Sequence, residues 1–382
     1  MRTAHGADTT SKSSCVGDRI FFISMSLFSI LVFAIRGNQY SRTLYGDDAE
    51  LVSHAVSRKF PWGILGRYDT LGLLDPFNGY IFLLPRVFTH VGLIGDDQDF
   101  VFRIFIYSTI LFSVLAVSIG RSAYNVVSPA AGYLTVVVFA LMPFSNLVLL
   151  AQANATTWPL ALYVIVIAAL RDYPRKTIWR IVFLLVSFIT TLSTLLSIVF
   201  LTILCLDIAL SRFKVKRYEL TLLATTATLF LIQLQTYESR DNPAVPFGTE
   251  FGRVLFGFAP QYIRKQILGD LSVIDRFVLI AYPSLMLMCW IGLAVFVWRK
   301  HHFFVIAAIR MFVSGVAITI ILIIGNGWFN SHYLFIPSGL FWISSVMLAS
   351  VAVRNGCKIE RSLAALLAGL FLFQLSGIYY VL

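Results

Sequence analysis

From Ser122 to Leu170 the chain runs for 49 residues without an Asp, Glu, Lys or Arg. A helix crosses the hydrocarbon core of a bilayer with about 20 apolar residues, so a run more than twice that length has to pass through lipid twice. No soluble fold accommodates it. The remainder is of the same kind: 58% of the residues are hydrophobic and 13% charged, where a soluble domain carries roughly 45–50% and 25%. The formal charge of +11 does not point to nucleic acid, because the basic residues sit in short clusters between apolar runs, the pattern that orients a membrane protein. Cys15, Cys205, Cys289 and Cys357 lie in the tail, in apolar runs or in a basic loop, without metal-ligand spacing, so neither a disulfide nor a zinc site is expected.

Apolar runs place spans near 20–36, 101–120, 129–150, 157–170, 178–193, 196–211, 219–236, 273–298, 303–324, 333–352 and 362–381. The first resembles a signal peptide in outline, but Ala34-Ile35-Arg36-Gly37 lacks the small-x-small cleavage pattern, and we read it as a retained span. As one helix, Ile181 to Ser211 would be about 46 Å long, too long for an upright span. A hairpin turning near Ser193 and Thr194 resolves this. The expected fold class is therefore an all-α polytopic membrane protein of about 11 transmembrane helices, one membrane domain over 1–382.

With that hairpin, the N-terminal tail, Arg121, the clusters 171–180 and 212–217, the pair Arg299 and Lys300, and the loop 354–361 share one side, with 17 of the 30 Lys and Arg residues. By the positive-inside rule this side is the cytoplasm, and the N-terminus with it. Residues 37–100 and 237–272 are then the large first external loop and a second external segment. Within the first, Phe77 to Gly95 is apolar but interrupted by Pro85, Arg86 and His90. Counted as a span it would reverse every later loop, so it is expected as an amphipathic helix on the membrane surface. Short loops and the absence of long tails favour a bacterial inner membrane.

Most of the chemistry-bearing residues fall in the external segments. Gly46-Asp47-Asp48-Ala49-Glu50 follows the first span by about ten residues and feeds an apparent helix. With a start near Asp47, the side chains of Asp47, Glu50, His54 and Arg58 share a face at three-to-four spacing. Acids at this position either cap the helix or act chemically; Asp47, Glu50 and His54 also have the donor types of a divalent-cation site, although no metal site is assigned. Arg240, Arg253, Arg264 and Lys265 lie in the second segment with Asp241, Glu250 and Asp270. Trp62, Trp158, Trp328, Phe329 and Tyr333 gather at the outer face, where an aromatic belt is the simpler reading than a sugar-stacking site. Arg310, ten residues after Lys300, falls about 15 Å along a helix, either in the membrane or in an interfacial stretch preceding the span. Asp207, near the basic end of its run, reads as structural.

The order of these features resembles the GT-C superfamily of membrane glycosyltransferases. It comprises the acid pair in the first external loop, the amphipathic segment closing at Leu93-Ile94-Gly95, and the Arg that opens the next span in Val101-Phe102-Arg103. A span ending at Gly120-Arg121, Pro143 near the external end of the following one, the apolar hairpin between basic clusters and Ser331-His332-Tyr333-Leu334 at the start of a late span complete the series. The likeness covers residues 1 to about 210 and is looser beyond. Two positions depart from the pattern. The turn after the third span reads Ala151-Gln152-Ala153-Asn154-Ala155-Thr156, amides and hydroxyls where many members carry an acid, and the late span opens on His332-Tyr333 rather than Arg-Tyr.

The resemblance implies an inverting transfer of a sugar from a polyprenyl-phosphate carrier to a glycan or glycolipid acceptor at the non-cytoplasmic face. Asp47 or Asp48 would act as base, and Glu50, His54, Arg240, Arg253, His332 and Tyr333 would contact substrate. The implied partners are the lipid-linked sugar donor, the acceptor and membrane lipids. Two other readings compete. A polymerase or ligase of lipid-linked polysaccharide would lean on external Arg residues, and a flippase or transporter would show inverted repeats, of which the sequence has no sign.

Overall fold

The computed structural model describes residues 10–37, 51–53, 76–77, 80–81, 83–94, 99–141, 156–210, 217–236, 272–326 and 335–379. Among them the chain is helical apart from one two-residue antiparallel pair, β1 (Pro76–Phe77) with β2 (Tyr80–Ile81). The helices are α1 (Thr10–Gly37), α2 (Leu83–Gly92), α3 (Phe100–Val126), α4 (Pro129–Leu141), α5 (Thr157–Leu170), α6 (Thr177–Thr191), α7 (Ser197–Leu210), α8 (Arg217–Thr236), α9 (Ser272–Asn326), α10 (Phe335–Asn355) and α11 (Lys358–Tyr379). Helices thus overlie the apolar runs of the sequence. Four stretches, Gly17–Gly37, Phe100–Val126, Tyr282–Leu322 and Phe335–Arg354, are long and apolar enough to cross a membrane; α4 to α7 are apolar but shorter.

Two reversals organise the bundle. At 192–196 the chain leaves α6 and turns into α7, and Phe183 meets Phe200 with ring centroids 6.4 Å apart. A continuous helix would hold those residues about 25 Å apart. The second reversal is inside α9, where His301 leaves helical geometry at φ −143° and ψ 53°. Trp290 and Phe312, 22 residues apart and about 33 Å along a straight helix, stack at 4.7 Å. The two limbs of α9 are therefore an antiparallel pair folded at His301, with Arg299 and Lys300 at the bend. The first hairpin was expected from the length of its apolar run, and the second from the separate spans 273–298 and 303–324 on either side of Arg299 and Lys300.

The solvent of this bundle is legible in what it leaves uncovered. The outward stripe of α1 is Ile20, Ile23, Leu27, Leu31 and Ile35, while Phe21 and Phe33 on its other face are buried. Similar stripes run along α6 (Ile178, Ile181, Leu185) and α9 (Met288, Ile291, Val295). Water penalises continuous apolar stripes of this kind and lipid does not. The long apolar helices and their lipid-type outer faces are those of an integral membrane protein. At the centre lies α10, with 83% of its most apolar window buried against 22% for α1. Phe335 at its start meets Phe112 and Phe139, each at 5.7 Å, and Phe33 joins both. Four rings thereby lock α1, α3, α4 and α10 together.

The α3–α4 hairpin is drawn close by glycine. A Cβ at Gly132 would stand 2.5 Å from the Tyr124 Cβ and 2.9 Å from the Gly120 carbonyl oxygen. We therefore expect Gly132→Ala to lower the stability of the detergent-solubilised protein by about 1–3 kcal/mol, the usual cost of overpacking. Gly369→Ala, where a Cβ meets nothing within 4 Å, should be neutral or stabilising. Thermal unfolding of the two variants side by side checks this.

Candidate functional site

Asp47, Asp48, Glu50, His54, Arg240, Arg253, His332 and Tyr333 lie outside the described residues, as do Arg264 and Lys265. The structure does describe the surfaces from which their segments emerge. Leu51, next after Glu50, is buried and Val52 packs against Phe100 and Ile104 at the start of α3; residues 51–53 are helical. Phe335, two residues after Tyr333, packs on Phe112 of the same helix. Ile104 and Phe112 are about 12 Å apart along α3. Two segments separated by some 280 residues of sequence are thus anchored on one half of one helix.

Around this end the backbone of residues 81–92 is stitched to the helix tips. Gln233 of α8 donates Nε2 to the Ile81 carbonyl at 2.8 Å and accepts the Ile81 N–H at 2.7 Å, an amide standing in for a neighbouring strand. Leu83 N–H donates to the Leu192 carbonyl and Leu84 N–H to Ser193 Oγ, so the first two residues of α2 are satisfied by the α6–α7 turn. Arg103 donates Nε to the Gly92 carbonyl at 2.7 Å, placing a cation on the C-terminal end of α2 where the helix dipole favours it. The closing turn of the amphipathic segment and the Arg of Val101-Phe102-Arg103, two features that the sequence offered separately, are one contact. Arg36 donates to the Ala140 carbonyl, which brings the ends of α1 and α4 to the same side.

The expectation for 77–95 is met only in part. A helix forms over Leu83–Gly92 alone, after the β1–β2 pair, and Arg86, Thr89 and His90 are buried in the protein. The residues that interrupt the apolar stretch, Pro85, Arg86 and His90, mark its packed face toward α3 and α6 rather than a face turned to water.

A second polar constellation occupies the opposite end. The Asp207 carboxylate, 9% exposed, lies 2.6 Å from Arg310 Nη2 and 3.0 Å from Arg171 Nε, and Arg171 also donates to the Asp207 carbonyl. These are ionic contacts, since neither carboxylate oxygen has a well-directed hydrogen bond. Arg171 occupies the left-handed region at φ 54°, closing α5 with N–H bonds from Arg171 to Ala168 and from Asp172 to Ile167. Glycine usually takes that position because a Cβ costs roughly 1 kcal/mol there. An arginine is held in it by the two contacts that its side chain makes to α7. Arg310, nine residues beyond His301, reaches Asp207 and hence the basic rim, which explains a cation so deep in an apolar run. Both residues drew notice in the sequence; their pairing had no sequence signal, because 103 residues separate them.

The same end holds a cavity of about 320 Å³ between the α5–α6 turn, α7 and the start of α8. Ser122 donates to Asp172 at 2.5 Å, Arg121 lies 3.5 Å from Asp18, and Tyr218 donates to the Arg180 carbonyl. These contacts link the tail, the end of α3, the 171–180 cluster and the start of α8 on one side, the grouping read from charge. Among the described residues no cluster of three or more His, Cys, Asp or Glu is placed to hold a metal ion. Comparison of the chain with family models, with curated proteins and with solved structures finds no match in any of the three.

Two predictions test the ends of the bundle separately. Gln233→Leu leaves the Ile81 N–H and carbonyl unpaired in a buried place, so we expect a loss of about 1–3 kcal/mol and faster hydrogen exchange at 81–84 than in α10. Removing Asp207 leaves the half-buried Arg310 without this counter-charge, so Asp207→Ala should cost about 3 kcal/mol, the lower end for a broken buried pair. Arg171→Ala, at a site 39% exposed, should cost far less in the same unfolding measurement.

Proposed function

We propose that the chain is a GT-C-type membrane glycosyltransferase with eleven spans, its N-terminus in the cytoplasm and its catalytic face on the other side of a bacterial inner membrane. The observation that carries this reading is the acid pair Asp47-Asp48, with Glu50, immediately ahead of a buried, packed turn at the start of α3. A base has to be held within a fraction of an ångström of its proton to be useful, and a carboxylate pair tethered to a fixed anchor meets the first requirement for that. Gln233 near the end of α8 and Phe335 at the start of α10 are described, and the segments bearing Arg240, Arg253, His332 and Tyr333 adjoin them in sequence.

The chemistry that the residues support is a single displacement. Asp47 or Asp48 removes the proton of an acceptor hydroxyl as that oxygen bonds to the anomeric carbon. The bond from that carbon to the lipid phosphate breaks, and its electron pair leaves with the phosphate, with inversion at carbon. The departing phosphate is a stable anion and needs charge stabilisation rather than a strong acid; Arg240, Arg253 and His332 supply donors suited to it. Glu50, His54 and Tyr333 complete the substrate contacts. A divalent cation would find ligands in Asp47, Glu50 and His54, and no step above runs through it.

The test is transfer of radiolabelled sugar from a panel of polyprenyl-phosphate sugars in membranes holding matched amounts of wild type, Asp47→Asn and Asp48→Asn. One substitution should lower transfer by about 10²–10⁴-fold, the usual worth of a general base. Transfer that survives both, yet fails in Arg240→Gln or Arg253→Gln, would assign the chain instead to the polymerases and ligases of lipid-linked glycans. Lipid flux without any transfer would make it a flippase.

A further inference from the structure

The cavity at the basic end is independent of the glycosyltransferase reading, and its lining carries charge of both signs. Asp207 is committed to Arg171 and Arg310. Asp172 accepts a hydrogen bond from Ser122 at one oxygen, and among the described residues the other has no partner; Glu219 lines the same wall. On the cationic side, Arg180 donates Nε to the Pro174 carbonyl and lies over the Tyr218 ring at 5.4 Å, and no carboxylate among the described residues meets its terminal amino groups. Arg175 is exposed and has no ion pair among the described residues. Burial, reinforced by the carboxylates of Asp207 and Glu219, pushes the Tyr173 hydroxyl above its ordinary pKa, so that it adds no negative charge to this wall.

Two open guanidiniums match a phosphate, and a carboxylate wall opposite them would repel a ligand that carried nothing else. The complementary molecule has a phosphate with a hydrogen-bond donor, ammonium or hydroxyl, a few bonds away. Its source is indicated by the flanks. Ile178 and Trp179 at the start of α6, Leu206 on α7 and Leu220 on α8 are all exposed, in a bundle whose exposed apolar faces meet lipid. A cavity of about 320 Å³ is of the size that holds a small polar headgroup. Indole at this depth is the usual neighbour of headgroups.

We propose that this cavity seats the headgroup of a glycerophospholipid, with the phosphate on Arg175 and Arg180, the headgroup ammonium or hydroxyl on Asp172 and Glu219, and the acyl chains leaving past Trp179. The site is a lipid site at the end of α3 opposite the contact of Val52 with Ile104. None of its residues is assigned to sugar transfer, so its failure would leave that assignment standing.

The experiment is lipid retention by the purified full-length protein, read by native mass spectrometry after exchange into mixed micelles of detergent with phosphatidylethanolamine, phosphatidylglycerol or phosphatidylcholine. Glycerophosphoethanolamine serves as the soluble headgroup. Phosphatidylethanolamine and phosphatidylglycerol should be held at least tenfold more tightly than phosphatidylcholine, whose headgroup has no donor. Arg175→Glu, at an exposed position where the fold has nothing to lose, should cut that retention at least tenfold, and adding Arg180→Gln should cut it further. Trp179→Ala should weaken the lipids and leave the soluble headgroup unchanged. Equal retention of all three lipids, or wild-type retention by Arg175→Glu, overturns the proposal. Binding of glycerophosphoethanolamine as tight as that of the lipid overturns the lipid source and makes this a site for a soluble phosphate ester.

Discussion

A surrounding medium that offers no hydrogen bonds is the constraint on which the rest of this structure depends. Within lipid every backbone N–H and carbonyl has to be answered inside the protein, which leaves the helix as the local solution and makes each departure from it conspicuous. The departures are answered one by one. At the α6–α7 turn, Ser193 and Thr194 N–H groups return to Thr190, while the Leu192 carbonyl and Ser193 Oγ receive the first N–H groups of α2. Ile81 is answered by an amide side chain from α8. Some hydroxyls inside the helices are absorbed by their own preceding turn, as Ser187, Thr191 and Thr319 show by bonding to the carbonyl four residues back. Polarity that in water would be spent on solvent is used here to fix one element against another.

The same constraint sorts the charges. A buried ion without a partner is costly, so described cations that lie among apolar residues reach for an end. Arg121 sits five residues before the close of α3 yet lies over Phe22 and near Asp18. Lys300 at the α9 bend lies 3.7 Å from Glu360, which in turn accepts the N–H of Cys357 and caps the start of α11. Asp207 ties three segments that are distant in sequence. One carboxylate therefore decides how the α5–α6 turn, α7 and the second limb of α9 meet, and it does so at the rim, where the helices would otherwise have only apolar, non-directional contacts to set their register.

How much of this could be read beforehand follows from which physics leaves a trace in sequence. Length does: the run from Ile181 to Ser211 is too long for one crossing, and the fold breaks it at 192–196. Charge asymmetry does, because it reflects a local preference for one side of the bilayer. Charge was misleading where it was taken to mark a loop, since α3 continues through Arg121 to Val126. Arg86 and His90 were read as interruptions of an apolar stretch and are buried. Pairings such as Asp207 with Arg310 or Gln233 with Ile81 join residues 103 and 152 apart in the sequence, and no periodicity encodes them. The functional residues were chosen from order and residue type, and the described structure reaches only to their neighbours.

The two polar ends differ in a way that bears on what each can do. At the basic end, side chains bind side chains, and the contacts are ionic and partly open to a cavity. At the other, side chains bind backbone: Gln233 to Ile81, Arg103 to Gly92, Arg36 to Ala140. Contacts to backbone fix the path of the chain while leaving the other side chains of that segment uncommitted. A loop whose course is set through Ile81, Leu83 and Leu84 can present the acids that precede it without using them for its own stability. An ionic cluster has the opposite character, because the charges of Asp207, Arg171 and Arg310 are consumed in holding the fold and the ligand is left to the charges around them, Arg175 and Arg180 among them. The proposed catalysis by a carboxylate suits the first arrangement and the proposed retention of a headgroup the second, so the two tasks are assigned to different segments of the chain.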